Sequence, residues 1–402
     1  MFPLDLFDDF STLPAHRPTW AEIRLENLLF NLEQIKKAAG PEARIMGVVK
    51  ADAYGHGVDV AELLQDEGVP CLGVAFLDEA IALRQKGIDR CDLFILGHTG
   101  ADQIPELVEW DVTPGVYQMD FAEALSDYCV ANGAVHPVHV KVDTGMGRIG
   151  FRWDEAADAV ERMAALPGIR VEGLYTHFAT ADAQDKDFTH LQLTRYAQVV
   201  KALSDKGIEI PIKHVENSAA IIDFDKTIFN MVRPGIILYG HYPSDEVKKE
   251  KLALKPVMSF KTKIVHIKTI HAGDSVSYGR RFIADRDRRI ATLPVGYADG
   301  YTRMLSGKGA EVLIKGQRAP VVGNICMDQC MVDITDLEGV SLYDEVELFG
   351  ENLPVEELAE KLGTIAYELL CMVNKRVPRI YDFMGEKHLE VEILNDGFFG
   401  GF

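Results

Sequence analysis

No apolar run in the chain approaches the ~18 residues that a membrane-spanning helix needs, so no membrane partner is expected. Cysteine is scarce. Six residues (Cys71, Cys91, Cys129, Cys326, Cys330 and Cys371) are scattered over 402 positions without the spacing of zinc or redox sites. They read as reduced core thiols, and no metal is expected. Positive charge is also short, with 42 Lys and Arg against 62 Asp and Glu. A net charge of −20 repels nucleic acid and anionic membrane alike, which argues against both as partners. The opening stretch Met1-Phe-Pro-Leu-Asp-Leu-Phe-Asp-Asp-Phe10 lacks the basic segment of a secretory signal, so the expected location is cytoplasmic. Internal repeats and low-complexity tracts are absent.

What is present suits a globular enzyme of two domains: 47% hydrophobic and 26% charged residues in a chain longer than one ordinary domain. After an acidic, aromatic extension (1–17), Trp20 to Ile23 reads as a strand and Leu25 to Ala39 as a helix. Candidate strands then recur near 45–50, 71–75, 92–96, 112–116, 136–142, 169–175, 211–215 and 228–233. Helical patterns fall between them, for example over 57–67, 78–87, 120–131, 154–165 and 187–206. Eight strands alternating with helices predict a (β/α)8 barrel over residues 18–245. Beyond Gly240 the texture changes to strand-like runs at 257–270, 289–295, 310–315, 319–322, 330–334 and 344–348. These predict a mainly antiparallel β-domain over 246–388, with helices near 354–362 and 365–372 and a Gly/Phe tail over 389–402.

A barrel gathers its chemistry at the carboxyl ends of its strands. The first candidate strand ends in Val48-Val-Lys-Ala-Asp-Ala-Tyr-Gly-His-Gly57, the fifth in His139-Val-Lys-Val-Asp-Thr-Gly-Met-Gly-Arg148 and the sixth in Leu174-Tyr-Thr-His-Phe178. His214-Val-Glu-Asn-Ser218 and Met231-Val-Arg-Pro-Gly-Ile236 follow at the seventh and eighth. A lone lysine at a strand end is ordinarily a solvated cation. Here Lys50, Lys141, Arg148, His177 and Arg233 would together line a basic floor in an acidic protein, which suits an anionic cofactor and a carboxylate substrate. Pro234 would open a short helix, Ile236 to Tyr239, and leave the Gly235 and Ile236 amides free for phosphate beside Asn217-Ser218. The stretch Gly145-Met-Gly-Arg-Ile-Gly150 also fits a dinucleotide fingerprint, but it follows the fifth strand rather than the first.

Across residues 18 to 383, the motifs K-A-D-A-Y-G-H-G, K-V-D-T-G-M-G-R-I-G, V-R-P-G-I-I-L-Y-G, V-S-Y-G, G-Y-A-D-G-Y and I-C-M-D-Q resemble those of alanine racemases, in the same order. The resemblance implies a pyridoxal 5'-phosphate enzyme of the barrel-plus-β-domain type that interconverts L- and D-alanine and so supplies D-alanine. It implies that Lys50 carries the cofactor as a Schiff base and that Tyr54, Ser218, Gly235 and Ile236 hold its phosphate, with Asn217 beside them. Arg233 would face the pyridine nitrogen. Arg148 would bind the ring hydroxyl and the substrate carboxylate, positioned by Lys141, which relatives often carry as a carbamate. Tyr278 would be the second base, supported by His177. Met327 and Asp328 would bind substrate from a partner subunit, in a homodimer with shared sites. Tyr297, Asp299 and Arg303 resemble a substrate entryway.

Two positions depart from the pattern. Lys375 stands where some relatives have a tyrosine, and Asn324 where others have an arginine, so a broader or different small substrate such as serine is an alternative. Racemisation needs a base on each face of Cα, and Lys50 and Tyr278 supply two. An arginine cannot accept the pyridine proton, which speaks against the second alternative, a decarboxylase of the same architecture. A lone-barrel cofactor carrier, the third, would not need the β-domain.

Overall fold

The computed structural model describes residues 17–390. The expected extension and tail therefore lie outside the described residues, apart from Arg17 and residues 389 and 390. Residues 30–53 and 58–254 form one compact unit; the other comprises 17–29, 54–57 and 255–390.

The first unit is the expected barrel. Its strands are Arg44–Val48, Cys71–Val74, Asp92–Ile95, Val112–Val116, His136–Asp143, Ile169–Tyr175, Ile212–His214 and Met231–Val232, each parallel to the next. Met231 and Val232 pair with Arg44 and Ile45, which closes the ring. Cys71–Val74 is buried at every position and reads as an unbroken apolar run because both of its faces are covered. Met46, Cys71, Phe94, Tyr175 and Met231 pack together in the interior.

In the second unit ten strands form one sheet, in the order His266–Ile270, Arg288–Leu293, Cys330–Asp333, Gln317–Val322, Glu311–Ile314, Glu345–Phe349, Met258–Lys263, Thr19–Arg24, Arg379–Phe383 and Glu386–Glu390. All neighbours are antiparallel except Thr19–Arg24 with Arg379–Phe383. Helices Val355–Leu362 and Ala366–Met372 complete it. Among the described residues no helix is long and apolar enough to cross a membrane.

Three expectations need correcting. Thr19–Arg24, read from sequence as part of the barrel span 18–245, belongs to the second sheet, where it pairs with Met258–Lys263. A closed barrel offers no free edge, so a further strand must find its partners elsewhere. The first barrel strand stops at Val48, two residues short of Lys50. The expected helix from Ile236 to Tyr239 is instead a run of turns, in which Leu238, Tyr239 and Gly240 donate their amides to the carbonyls three residues back.

Candidate active site

Lys50 follows the first strand by two residues and opens a left-handed turn. Ala51, Asp52, Ala53 and Tyr54 have φ of 54°, 55°, 49° and 55°, and Gly55 continues at 81°. For L-residues other than glycine this region costs about 1–2 kcal/mol each, so the turn persists only where surrounding groups fix it. Gly55 admits nothing larger, because an added Cβ would lie 2.3 Å from the Leu370 carbonyl oxygen. The buried Arg379 guanidinium donates to the Gly55 carbonyl from Nε (3.2 Å) and Nη2 (2.9 Å), and also to the carbonyls of Val373, Asn374 and Val377. Tyr381 donates its hydroxyl to the His56 carbonyl at 3.0 Å. Burial, then Tyr367 and Cys371 nearby, pushes the Tyr54 hydroxyl pKa well above its ordinary value, so it stays a neutral donor.

At the barrel mouth Arg233 is 4% exposed, and protein acceptors hold its guanidinium. Nη2 donates to the carbonyls of Thr176 (2.6 Å) and Val215 (3.2 Å), and Nη1 meets His214 Nδ1 at 2.9 Å. Burial pushes its pKa down to about 10, which leaves it charged at neutral pH. Because arginine only donates, His214 Nδ1 must accept, so Nε2 carries the proton and donates to His139 Nδ1 at 2.9 Å. Burial and the neighbouring arginines keep both imidazoles neutral, His139 at about 3. Tyr175 stacks on His214 with ring centres 4.9 Å apart.

The residues of the expected basic floor influence one another electrostatically. Lys50, Lys141, Arg148 and Arg233 all act electrostatically on His177. Burial first, then those cations, holds His177 neutral. Its Nδ1 lies 3.4 Å from Arg233 Nη2. Lys141 is 4% exposed, with Nζ 4.3 Å from the centre of the Tyr175 ring. Burial, reinforced by Arg233 and Arg148, drives its pKa well below that of a free lysine. A neutral amine is a nucleophile, the state carbamylation requires.

Ser218 and Gly235 meet as expected, but the Gly235 amide is not free: it donates to Ser218 Oγ at 2.9 Å. Asn217 caps the short helix Ser218–Asp223 by accepting from the Ala220 amide at 3.1 Å. Ile236 is fully buried. The glycine stretch after the fifth strand is organised by Asp143, whose Oδ1 accepts from the Gly145 and Gly147 amides at 2.9 and 3.1 Å. Those amides are therefore engaged, which removes the dinucleotide reading, and the turn carries Arg148 to an exposed position.

In the second unit Tyr278 is 70% exposed, on a tight turn with Ser277, Gly279 and Arg280 at φ of 65°, 73° and 49°. Asn324, buried, donates Nδ2 to the Tyr278 carbonyl at 2.6 Å, and its own carbonyl accepts from Ser277 Oγ at 2.6 Å. The residue flagged only as a departure thus fixes the turn that bears Tyr278. Met327 and Asp328 are exposed. Asp328 pairs with Arg376 at 2.6 Å. Asp299 is fully buried between Arg17 and Arg376 and caps the Gly296 amide at 2.9 Å. Burial would raise its pKa, yet the two arginines hold it below the usual carboxylate range. It supports the segment rather than lining a path. Tyr297 is 41% exposed, and Arg303 donates to the Ile325 carbonyl at 2.8 Å.

Residues 23–243 match the family model described as alanine racemase, N-terminal domain, and 257–381 that described as alanine racemase, C-terminal domain. The chain is 50% identical over 372 residues to an alanine racemase of Clostridium tetani, covering 91% of this chain and 95% of that protein. A solved alanine racemase from Clostridium difficile 630 superposes with a TM-score of 0.89 at 46% identity, covering 93% of this chain and 98% of that one. A complex of that racemase with cycloserine gives 0.88 at 44% identity, with the same coverage.

Proposed function

The chain belongs to the alanine racemase family, and on that premise we propose that it is an isomerase interconverting L- and D-alanine with pyridoxal 5'-phosphate, working in the cytoplasm as a homodimer. The observation that carries the reading is Arg233, a buried guanidinium kept charged and immobile by two carbonyls and a neutral imidazole. The donor set fits the cofactor. Ser218 Oγ (oriented by the Gly235 amide), the Ile236 backbone, Asn217 and the Tyr54 hydroxyl suit a phosphate, Arg233 suits an unprotonated ring nitrogen, and Arg148 suits the ring hydroxyl and a substrate carboxylate. When bound, pyridoxal phosphate supplies an electron-withdrawing ring that makes the amino-acid Cα proton acidic.

Lys50 Nζ removes or returns that proton on one face of Cα, and Tyr278 Oη does so on the other. Arg233 donates and never accepts, so it keeps the ring nitrogen without a proton and limits leakage into transamination. His177, held neutral, supports the Tyr278 hydroxyl, and Met327 and Asp328 engage the substrate carboxylate side. Tyr278 and Met327 are 70% and 53% exposed in the single chain, which supports the reading that they complete the site of a second copy. Tyr297 and Arg303 are proposed to line the approach, with the buried Asp299 holding their segment from behind. Serine is the second substrate to test, because Asn324 and Lys375 differ from relatives. The chemistry is tested by incubating the pure protein with single L-amino acids and resolving the products. L-Alanine should become a mixture of enantiomers and L-serine should react more slowly, and a failure to form D-alanine overturns the reading.

Two residues in this scheme can be examined chemically. Borohydride reduction and peptide mapping should place the pyridoxyl group on Lys50; any other lysine sinks the assignment. Lys141, its pKa lowered by burial and by Arg233 and Arg148, should take up carbon dioxide. Native mass spectrometry in bicarbonate should show the added mass on the Lys141 peptide, lost on acidification. The wild-type mass in both conditions would rule the carbamate out.

A further inference from the structure

Glu79 lies in the first turn of the helix Leu77–Gln85, which follows the second barrel strand. Its Oε1 accepts from the Ala51 amide at 2.8 Å and its Oε2 from the Ala75 amide at 2.7 Å. One carboxylate therefore ties the segment after the first strand to the segment after the second. The Ala51 N–H belongs to the peptide whose carbonyl is that of Lys50. Fixing this peptide fixes how the chain leaves the Lys50 Cα, at the point where four successive non-glycine residues enter positive φ. Those residues favour the right-handed region, so the left-handed start must be held from outside.

We propose that Glu79 is a positioning residue for Lys50, its carboxylate pinning the Lys50–Ala51 peptide at the head of the left-handed turn so that Lys50 Nζ is presented in one place to cofactor and substrate. The inference rests on the reading of Lys50 given above. Ala51 is exposed, so water can replace the lost acceptor without holding the geometry. The effect of removing Glu79 therefore falls on presentation of the lysine and not on folding. Glutamine cannot substitute fully. It offers one acceptor oxygen, and its amide nitrogen would face the second N–H donor.

The test compares wild type, Glu79→Ala, Glu79→Gln and, as a control in the same helical turn, Asp78→Ala. Peptide mapping of the reduced wild-type holoenzyme comes first. Cofactor dissociation constants of the stripped proteins, their melting temperatures, and kcat and KM for alanine follow. Loss of a charge-assisted hydrogen bond predicts about tenfold weaker cofactor binding and a similar fall in kcat for Glu79→Ala. Alanine KM and the melting temperature of the stripped protein should stay near wild type, Glu79→Gln should lie between, and Asp78→Ala should match wild type. Should Glu79→Ala not fold, Glu79→Gln carries the comparison alone. Wild-type cofactor affinity and kcat in the Glu79 variants overturn the inference, as does a lowered melting temperature with both unchanged, since that marks a structural residue. Equal losses in Asp78→Ala overturn it too. A pyridoxyl group mapped away from Lys50 is a different failure: it removes the reading of the site, and the inference with it.

Discussion

Lys50→Ala and Tyr278→Ala enzymes, each nearly inactive alone, should regain about a quarter of wild-type activity when mixed at equal ratio and allowed to exchange subunits. The expectation follows from where the two groups sit in the sequence of units. Lys50 belongs to the barrel unit, whereas Tyr278 stands 70% exposed on the β-unit. If each β-unit completes the other chain's barrel, a mixed dimer holds one site with both residues damaged and one with both intact. Random exchange makes about half the dimers mixed, each with one working site of two, which gives the quarter. Sites built within single chains would give no rescue. Mass-tagging one variant establishes that exchange took place. With exchange established and no activity recovered, the shared site is abandoned.

The parts legible in the sequence were those governed by local pattern. Short apolar runs spaced by helical patterns mark the eight barrel strands, and the strand-end motifs put Lys50, Lys141, Arg148, His177 and Arg233 at one end of them. Illegible were features whose causes lie far along the chain. Thr19–Arg24 looks like an opening barrel strand, yet its partner Met258–Lys263 comes more than two hundred residues later. Ala-Asp-Ala-Tyr contains no glycine, so nothing in it announces a left-handed turn. The reasons are Glu79 and Arg379, on other elements. The neutral pair His139–His214 spans 75 residues, and no local signal joins them. The resemblance of G-Y-A-D-G-Y to its relatives puts Asp299 on an approach path. Its burial between Arg17 and Arg376 depends on residues 282 and 77 positions away.

Arg233→Glu should be the most damaging change within the barrel, for two separable reasons. The guanidinium donates to the carbonyls of Thr176 and Val215 and to His214 Nδ1, all of them acceptors. A carboxylate there meets only lone pairs, and a buried charge without a partner costs about 3–5 kcal/mol. The melting temperature should therefore fall clearly. The cost can be reduced if the carboxyl takes a proton, and a protonated carboxyl then has one hydrogen to give. Beside the cofactor ring it also becomes a group that can stabilise a protonated pyridine nitrogen, which arginine cannot do. Racemisation should slow, and pyruvate should form from alanine, up to one equivalent per site as the amino group passes to the cofactor, measurable with a coupled dehydrogenase. Arg233→Lys separates the two reasons. It loses the fork that reaches three acceptors and should be destabilised, but it keeps a cation, so pyruvate formation should stay at the wild-type level. Pyruvate from both variants would trace the leak to loosened packing instead of ring electronics. If Arg233→Glu racemises at the wild-type rate and forms no pyruvate, Arg233 does not tune the ring, and its buried charge needs another explanation.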